Sequence, residues 1–163
     1  MPKVRPMFVR HINPDHYLQG PDGRRIWSEE RGKMAWELAY AELERALATV
    51  GVRGTLYIVF GLQGAGKSTW IERNRAECGP LAVFFDAALP SRRHRTRALA
   101  LAAASATPAV AVWINVPIET ALERNALRFG DERIEEATIR HVLGLLEPPS
   151  IEEGFREIID VTR

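Results

Sequence analysis

The sequence predicts an α/β domain built on a mostly parallel five-stranded sheet. Short runs of near-continuous Val, Ile, Leu, Phe and Ala recur along the chain, as strands covered by helices on both faces require. Stretches with helical spacing of apolar residues separate them, and that alternation marks a parallel α/β sheet. Between the second run and the following helix stands Gly61-Leu-Gln-Gly-Ala-Gly66-Lys67-Ser68, which has the form G-x-x-x-x-G-K-[ST] in the strand-to-helix setting that gives the pattern meaning.

In chain order, "MFVRHI" (7–12) reads as a strand, followed by the polar, Gly- and Pro-rich connection 13–25, long enough to be either functional or mobile. Ser28 with Glu29 and Glu30 starts a helix reaching about Val50, with the acids at the positive end of its dipole; Met34, Leu38, Ala41, Leu43, Leu47 and Val50 form the apolar stripe and Gly51 ends it. "TLYIVF" (55–60) is the second strand and Gly66–Cys78 the next helix. "LAVFF" (81–85) precedes a helix from Ser91 to Ser105, where Ser91 is the N-cap, and "AVAVWIN" (109–115) precedes one from Pro117, at N1, to Phe129. A helix over Glu135–Leu146 is stopped by "LEPPS", and "EIIDV" (157–161) is a weaker fifth strand.

At 163 residues the chain is expected to form one domain, 1–163. Its formal charge of +1 excludes a global polyanion-binding character, so a nucleic-acid partner has to be met by local Arg clusters. With Cys78 alone, neither an intrachain disulfide nor a Cys-based zinc site can form, which fits a reducing compartment. The opening residues lack an apolar signal core and the most apolar window is broken by Pro108, so a cytosolic protein without membrane partner is expected.

The glycine-rich loop carries its own chemistry. Gly61, Gly64 and Gly66 free the backbone of Gln63, Ala65 and their neighbours to turn N–H groups onto phosphate oxygens, and the next helix presents its positive end to the same anion. Lys67 reaches the β- and γ-phosphates, Ser68 offers a hydroxyl to Mg²⁺, and Thr69 offers one near the α-phosphate. The expected ligands are ATP and Mg²⁺.

Beyond the loop, "VFFDAALPSRRHR", "VWINVPIETALERNALR" and "EPPSIEEGF" follow in order. With it they resemble the small P-loop kinases around polynucleotide 5′-hydroxyl kinases and zeta-toxin-like kinases. The piece missing after the loop, a strand ending in an acceptor-side Asp with its helix, matches "FVRHINPDHY" and the helix at 28–50 at the front of the chain. The resemblance therefore implies a three-layer P-loop kinase fold, circularly permuted so that the acceptor-side strand comes first. Residues 7–50 supply the acceptor side and 55–163 the nucleotide-binding core and lid, with strands in the spatial order 1-3-2-4-5. Two departures fall on the acceptor side: Leu18 stands where the family often has Arg, and Ala87-Ala88 where it often has Thr-Asn.

The resemblance makes Asp15 the general base or orienting group for the acceptor hydroxyl, although "NPD" also serves as a turn or cap. Asp86 falls at the C-terminal end of a strand, where doubly wound sheets bind ligands; it is assigned to Mg²⁺ or the acceptor, against a helix cap. Arg124 and Arg128, four apart, form a clamp on the transferring phosphoryl group or a solvated face paired to Glu119 or Glu123. Arg92, Arg93, Arg95 and Arg97 crowd a helix start, where the dipole disfavours cations, and call for an anion: acceptor phosphate, or counterions. Arg92, Arg93 and Tyr17 are assigned to the acceptor; Tyr17, Trp27 and Trp36 lie on the acceptor-side segment and can stack a base, although Trp36, within a helix stripe, fits core packing better, and His11 and His16 have no companion at ligand spacing.

The leading expectation is a kinase phosphorylating a nucleic-acid hydroxyl, at a 5′ end or on a hydroxymethylated pyrimidine of DNA as in a phage-type modification. A small-molecule kinase acting on a sugar, antibiotic or nucleotide-sugar and a non-catalytic nucleotide switch are the alternatives.

Overall fold

The computed structural model describes residues 10–162. Among these residues, strands and α-helices follow in the order β1 (Arg10–Ile12), α1 (Glu29–Val50), β2 (Thr55–Phe60), α2 (Lys67–Cys78), β3 (Ala82–Asp86), α3 (Arg92–Ala104), β4 (Ala109–Asn115), α4 (Ile118–Ala126), α5 (Glu136–Leu145) and β5 (Glu157–Thr162). Residues 7–9 of the expected first strand lie outside the described residues. The strands form one sheet in the order β1-β3-β2-β4-β5, every pair parallel, as the sequence reading expects.

Alternation of side chains along each central strand explains why those runs are apolar at almost every position. Leu56, Ile58 and Phe60 of β2, Val83 and Phe85 of β3, and Ala109 and Ala111 of β4 pack with α1 and α3. Val59, Phe84, Val110, Val112 and Ile114 point the other way, into a second core with Trp70 and Ile71 of α2, Ala121 of α4, and Ile139 and Val142 of α5. Helices therefore cover both faces. Among the described residues no helix is long and apolar enough to cross a membrane.

Capping fixes α1: the Ser28 hydroxyl accepts from the Arg31 N–H at 3.1 Å and Gly51 closes the end at φ 55°. The buried face in its first half differs from the expected stripe. Met34 and Leu38 are exposed, while Ala35, Ala39 and Tyr40 face the sheet, where the alanines allow close approach and Tyr40 tilts onto Phe85 at 5.4 Å. Helix α3 also departs from expectation at its start, because the Ser91 hydroxyl bonds the His94 ring and leaves the backbone uncapped by a side chain.

Helix α4 stops at Ala126, three residues before the expected end. The Asn125 side chain explains the stop: it donates to the Ile134 carbonyl at 2.7 Å and accepts from the Ile134 N–H at 2.9 Å, so the chain has to turn back. Arg133 donates to the freed Ala126 carbonyl. At the other end of α4, Pro117 is the N-cap rather than N1, its ψ of 147° being extended rather than helical.

The arginines of the 91–97 stretch find two of their anions inside the protein. Arg95, at 0% exposure, donates to both carboxylate oxygens of Glu153 at 2.8 and 3.1 Å and to the Leu89 and Pro90 carbonyls, with its guanidinium 4.7 Å from the Phe60 ring centre. Arg97 makes a bidentate pair with Glu37 and lies 4.1 Å from the Tyr40 ring centre. Glu153 also accepts from the Ser150 N–H, which binds the "PPSIEEGF" segment into the core. Removing one member of a buried ion pair leaves the other charge uncompensated, so Glu153→Ala is expected to cost about 3–5 kcal/mol of stability. Urea midpoints read this directly, and a double variant Arg95→Met/Glu153→Leu should recover part of the loss.

Candidate functional site

A cleft of about 330 Å³ opens at the C-terminal ends of the central strands and brings the opening segment against the glycine-rich loop. Beyond β1 the chain makes a 3-10 turn over Pro14–Leu18, started by Asn13, whose side chain accepts from the Asp15 N–H at 2.9 Å. An antiparallel bridge between Gln19 and Arg25 folds the rest of the long connection back on itself. The turn is anchored by Leu18, 3% exposed, and leaves Asp15 exposed on the cleft wall. Arg25 lies 3.4 Å from the Asp15 carboxylate.

The loop after β2 is held tightly. Gly64 has φ 83° and Gly66 φ 106°, a region that disfavours side chains. A Cβ on Gly64 would stand 2.6 Å from the Ala121 carbonyl oxygen of α4. Helix α2 makes its first bond from the Trp70 N–H to the Gly66 carbonyl, so the amides of Lys67, Ser68 and Thr69 have no partner on a preceding turn and lie at the positive end of the helix. Gly61 packs against Ile114, and its carbonyl, with that of Leu62, accepts from the Lys67 ammonium at 3.2 and 2.9 Å. Burial lowers the Lys67 pKa; Asp86 and Asp15 oppose the shift and Arg128 adds to it.

Asp86 closes the floor of the cleft at 1% exposure. One of its carboxylate oxygens accepts from the Ser68 hydroxyl at 2.7 Å and lies 2.8 Å from the His11 ring nitrogen Nε2. Burial alone raises its pKa, but the His11 bond, the Lys67 charge and the Ser68 bond together outweigh it and hold the carboxyl below its ordinary value. A depressed folded-state pKa contributes stability above the unfolded value of about 3.9, and this is lost as pH falls through the lower folded value. Asp86→Asn is therefore expected to flatten the acid limb of unfolding free energy against pH, measured by urea titration; an unchanged acid slope would speak against the coupling.

The cleft gathers Asp15, Gln63, Gly64, Gly66, Lys67, Ser68, Thr69, Asp86 and Arg128. Arg124 has a different place from Arg128. It donates to the Ala65 carbonyl at 2.6 Å and lines a second cleft of about 340 Å³ on the other side of the loop, whereas Arg128 lines both and lies two residues past α4. Neither makes an ion pair with Glu119 or Glu123 among the described residues. Three expected acceptor contacts are not among the cleft-lining residues. Arg92 and Arg93 are exposed on the first turn of α3. Tyr17 donates to Glu42 of α1, and burial followed by that bond pushes its pKa up to about 12.

The expected ligands can be tested against the side chains present. Among the described residues the buried Gln63 amide oxygen has no hydrogen-bond partner, and a half-turn about its last torsion would present the NH₂ group to an anion instead. Ser68 and Asp86 form a pair of hard oxygen donors, the small protein set that Mg²⁺ takes when phosphates and water complete its shell. Among the described residues there is no group of three or more His, Cys, Asp or Glu placed to hold a metal by themselves.

Sequence reasoning missed His11 and Arg25. The signal for His11 was present as a polar residue in the edge strand beside the strand that ends in Asp86, pairing with Phe84 two residues before it. No family model matches the chain, and no curated protein is significantly similar to it in sequence.

Proposed function

We propose that the protein is an ATP- and Mg²⁺-dependent kinase that phosphorylates a hydroxyl of a nucleic acid, at a 5′ end or on a hydroxymethylated pyrimidine, on a circularly permuted P-loop kinase fold. The observation that carries this reading is that Asp15 of the opening segment and Lys67 of the glycine-rich loop line one cleft. The location of β1 next to β3 at the described edge of the sheet supports the permutation, since a strand there can change its connection without crossing the core.

In this reading the loop amides at 63–69 and the Lys67 ammonium hold the triphosphate. Ser68 and Asp86 hold Mg²⁺, which neutralises phosphate charge when bound. His11 fixes the Asp86 carboxylate by its bond at 2.8 Å, and Arg124 keeps the loop in shape through the Ala65 carbonyl. Asp15 orients the acceptor hydroxyl and takes its proton as that oxygen bonds to the γ-phosphorus. The bond from the γ-phosphorus to the β–γ bridging oxygen breaks and ADP leaves, while Arg128 offsets charge on the transferring group.

Incubation with γ-labelled ATP and separate panels of 5′-hydroxyl oligonucleotides, hydroxymethylpyrimidine DNA and small alcohols tests the proposal. Label is expected on nucleic acid. Label confined to small alcohols would move the activity to a small-molecule kinase, and ATP binding without label on any acceptor would leave a nucleotide switch.

A further inference from the structure

The cleft has two unlike halves. On the loop side it is polar, with Gln63, Lys67, Ser68, Thr69 and Arg128. The opening segment and α1 line the same cleft with Leu18, Trp27, Gly32, Ala35 and Trp36, which with Ala88 wall an alcove. Trp36 is fixed from behind by Tyr40, its ring 5.8 Å away, and by Phe85, edge-on at 6.4 Å, so the core sets its plane. Trp27 is the opposite case: 67% of it is exposed although it lines the cleft. Its indole nitrogen lies 3.4 Å from the point where a Cβ on Gly32 would stand, so the missing side chain at 32 keeps space open beside the ring.

Charge separates the halves as well. The cations lining the cleft are Arg25, Lys67 and Arg128; Arg25 is taken by Asp15, and the other two belong to the loop side. Among the described residues, Arg25 is the one cleft-lining cation from the alcove's own segment, and it faces Asp15 at 3.4 Å. Asp15 and Leu18 are three residues apart in a 3-10 turn, where side chains so spaced eclipse one another, so the carboxylate stands over the alcove wall.

Resting on the kinase reading above, we propose that this alcove seats a flat heteroaromatic ring of the acceptor, a nucleobase, against Trp27 and Trp36, with the hydroxyl to be phosphorylated attached near that ring and beside Asp15. Stacking on indoles suits any base because every base has a π-face. The base can come from a polynucleotide or from a free nucleoside.

Two variants isolate the alcove. Trp27→Ala removes an exposed wall, and Gly32→Leu fills the space with a residue that favours the helix more than glycine does, so α1 is kept. Tryptophan fluorescence with 5-hydroxymethyl-2′-deoxyuridine, and with 2-deoxyribose as the ring-free control, reads binding without any transfer. Transfer kinetics compare an oligonucleotide bearing that base, the free nucleoside, and a 5′-hydroxyl oligonucleotide with an abasic first residue. The nucleoside should quench and the sugar should not. Both variants should raise Kd and acceptor KM for ring-bearing compounds, roughly 5- to 150-fold, the span expected for one lost stacked base, with ATP Kd unchanged. Transfer to the oligonucleotide alone assigns the ring to a polynucleotide; comparable transfer to the nucleoside assigns it to a small molecule. Equal use of abasic and base-bearing acceptors, or KM unmoved in both variants, would overturn the proposal. Quenching lost in both variants with no transfer to any acceptor would keep the ring site and remove the kinase reading.

Discussion

Replacing Arg128 by Ala is expected to slow phosphoryl transfer by about 10³- to 10⁵-fold, the range found when an arginine that neutralises the transferring group is removed. The size follows from where the side chain stands. Arg128 is exposed, has one long contact of 3.5 Å with the Glu132 carbonyl, and lines the cleft together with Lys67 and Asp15, so its charge is free to follow the γ-phosphoryl group. Nothing in the core depends on it. The variant should therefore keep the wild-type urea midpoint, and its ATP affinity should fall far less than its turnover, since a charge that matters most in the transition state is read in kcat. Arg128→Lys keeps the charge but loses the planar fork and should recover only part of the rate. An alanine variant with turnover near wild type would take Arg128 out of the chemistry.

Asp15→Asn is expected to lower turnover by about 10²- to 10⁴-fold, the usual share of a general base. The amide keeps the shape of the side chain but cannot take the proton of the acceptor hydroxyl. The turn should survive, because the bond that starts it runs from the Asp15 backbone N–H to the Asn13 side chain. Breaking the Asp15–Arg25 contact should cost little, since the carboxylate is more than half exposed. ATP affinity measured by titration should be nearly unchanged. Full activity in this variant would end the role of Asp15, whatever the fate of the phosphate loop.

Most of the scaffold was readable in the sequence because its signals are local. Apolar runs with sheet alternation, a Ser28 cap, a terminating Gly51 and the glycine pattern at 61–66 each act within a few residues. Strand order was accessible through the resemblance, which placed the first strand beside the third. What could not be read depends on partners distant in sequence. The buried Arg95 meets Glu153 from 58 residues away, so a run of arginines that looks like an anion-binding surface is partly a core fastening. His11 and Asp86 are 75 residues apart, and only the pairing of β1 with β3 brings them together. The early end of α4 rests on Asn125 meeting Ile134, a bond that propensity does not register. The rotation of the first half of α1 belongs with these, since small alanines set against the sheet won over the larger Met34 and Leu38.

The position of β2 has a mechanical corollary. It has a ladder partner on each side, whereas in the described sheet β1 has one, so the glycine-rich loop grows from a strand braced on both sides and the turn bearing Asp15 from a strand braced on one. The molecule thus has a stiffness gradient running from the glycine-rich loop to the turn that bears Asp15. Under the proposed kinase function, entry of an acceptor would displace the peripheral strand and its turn while the anvil of the glycine-rich loop keeps its shape.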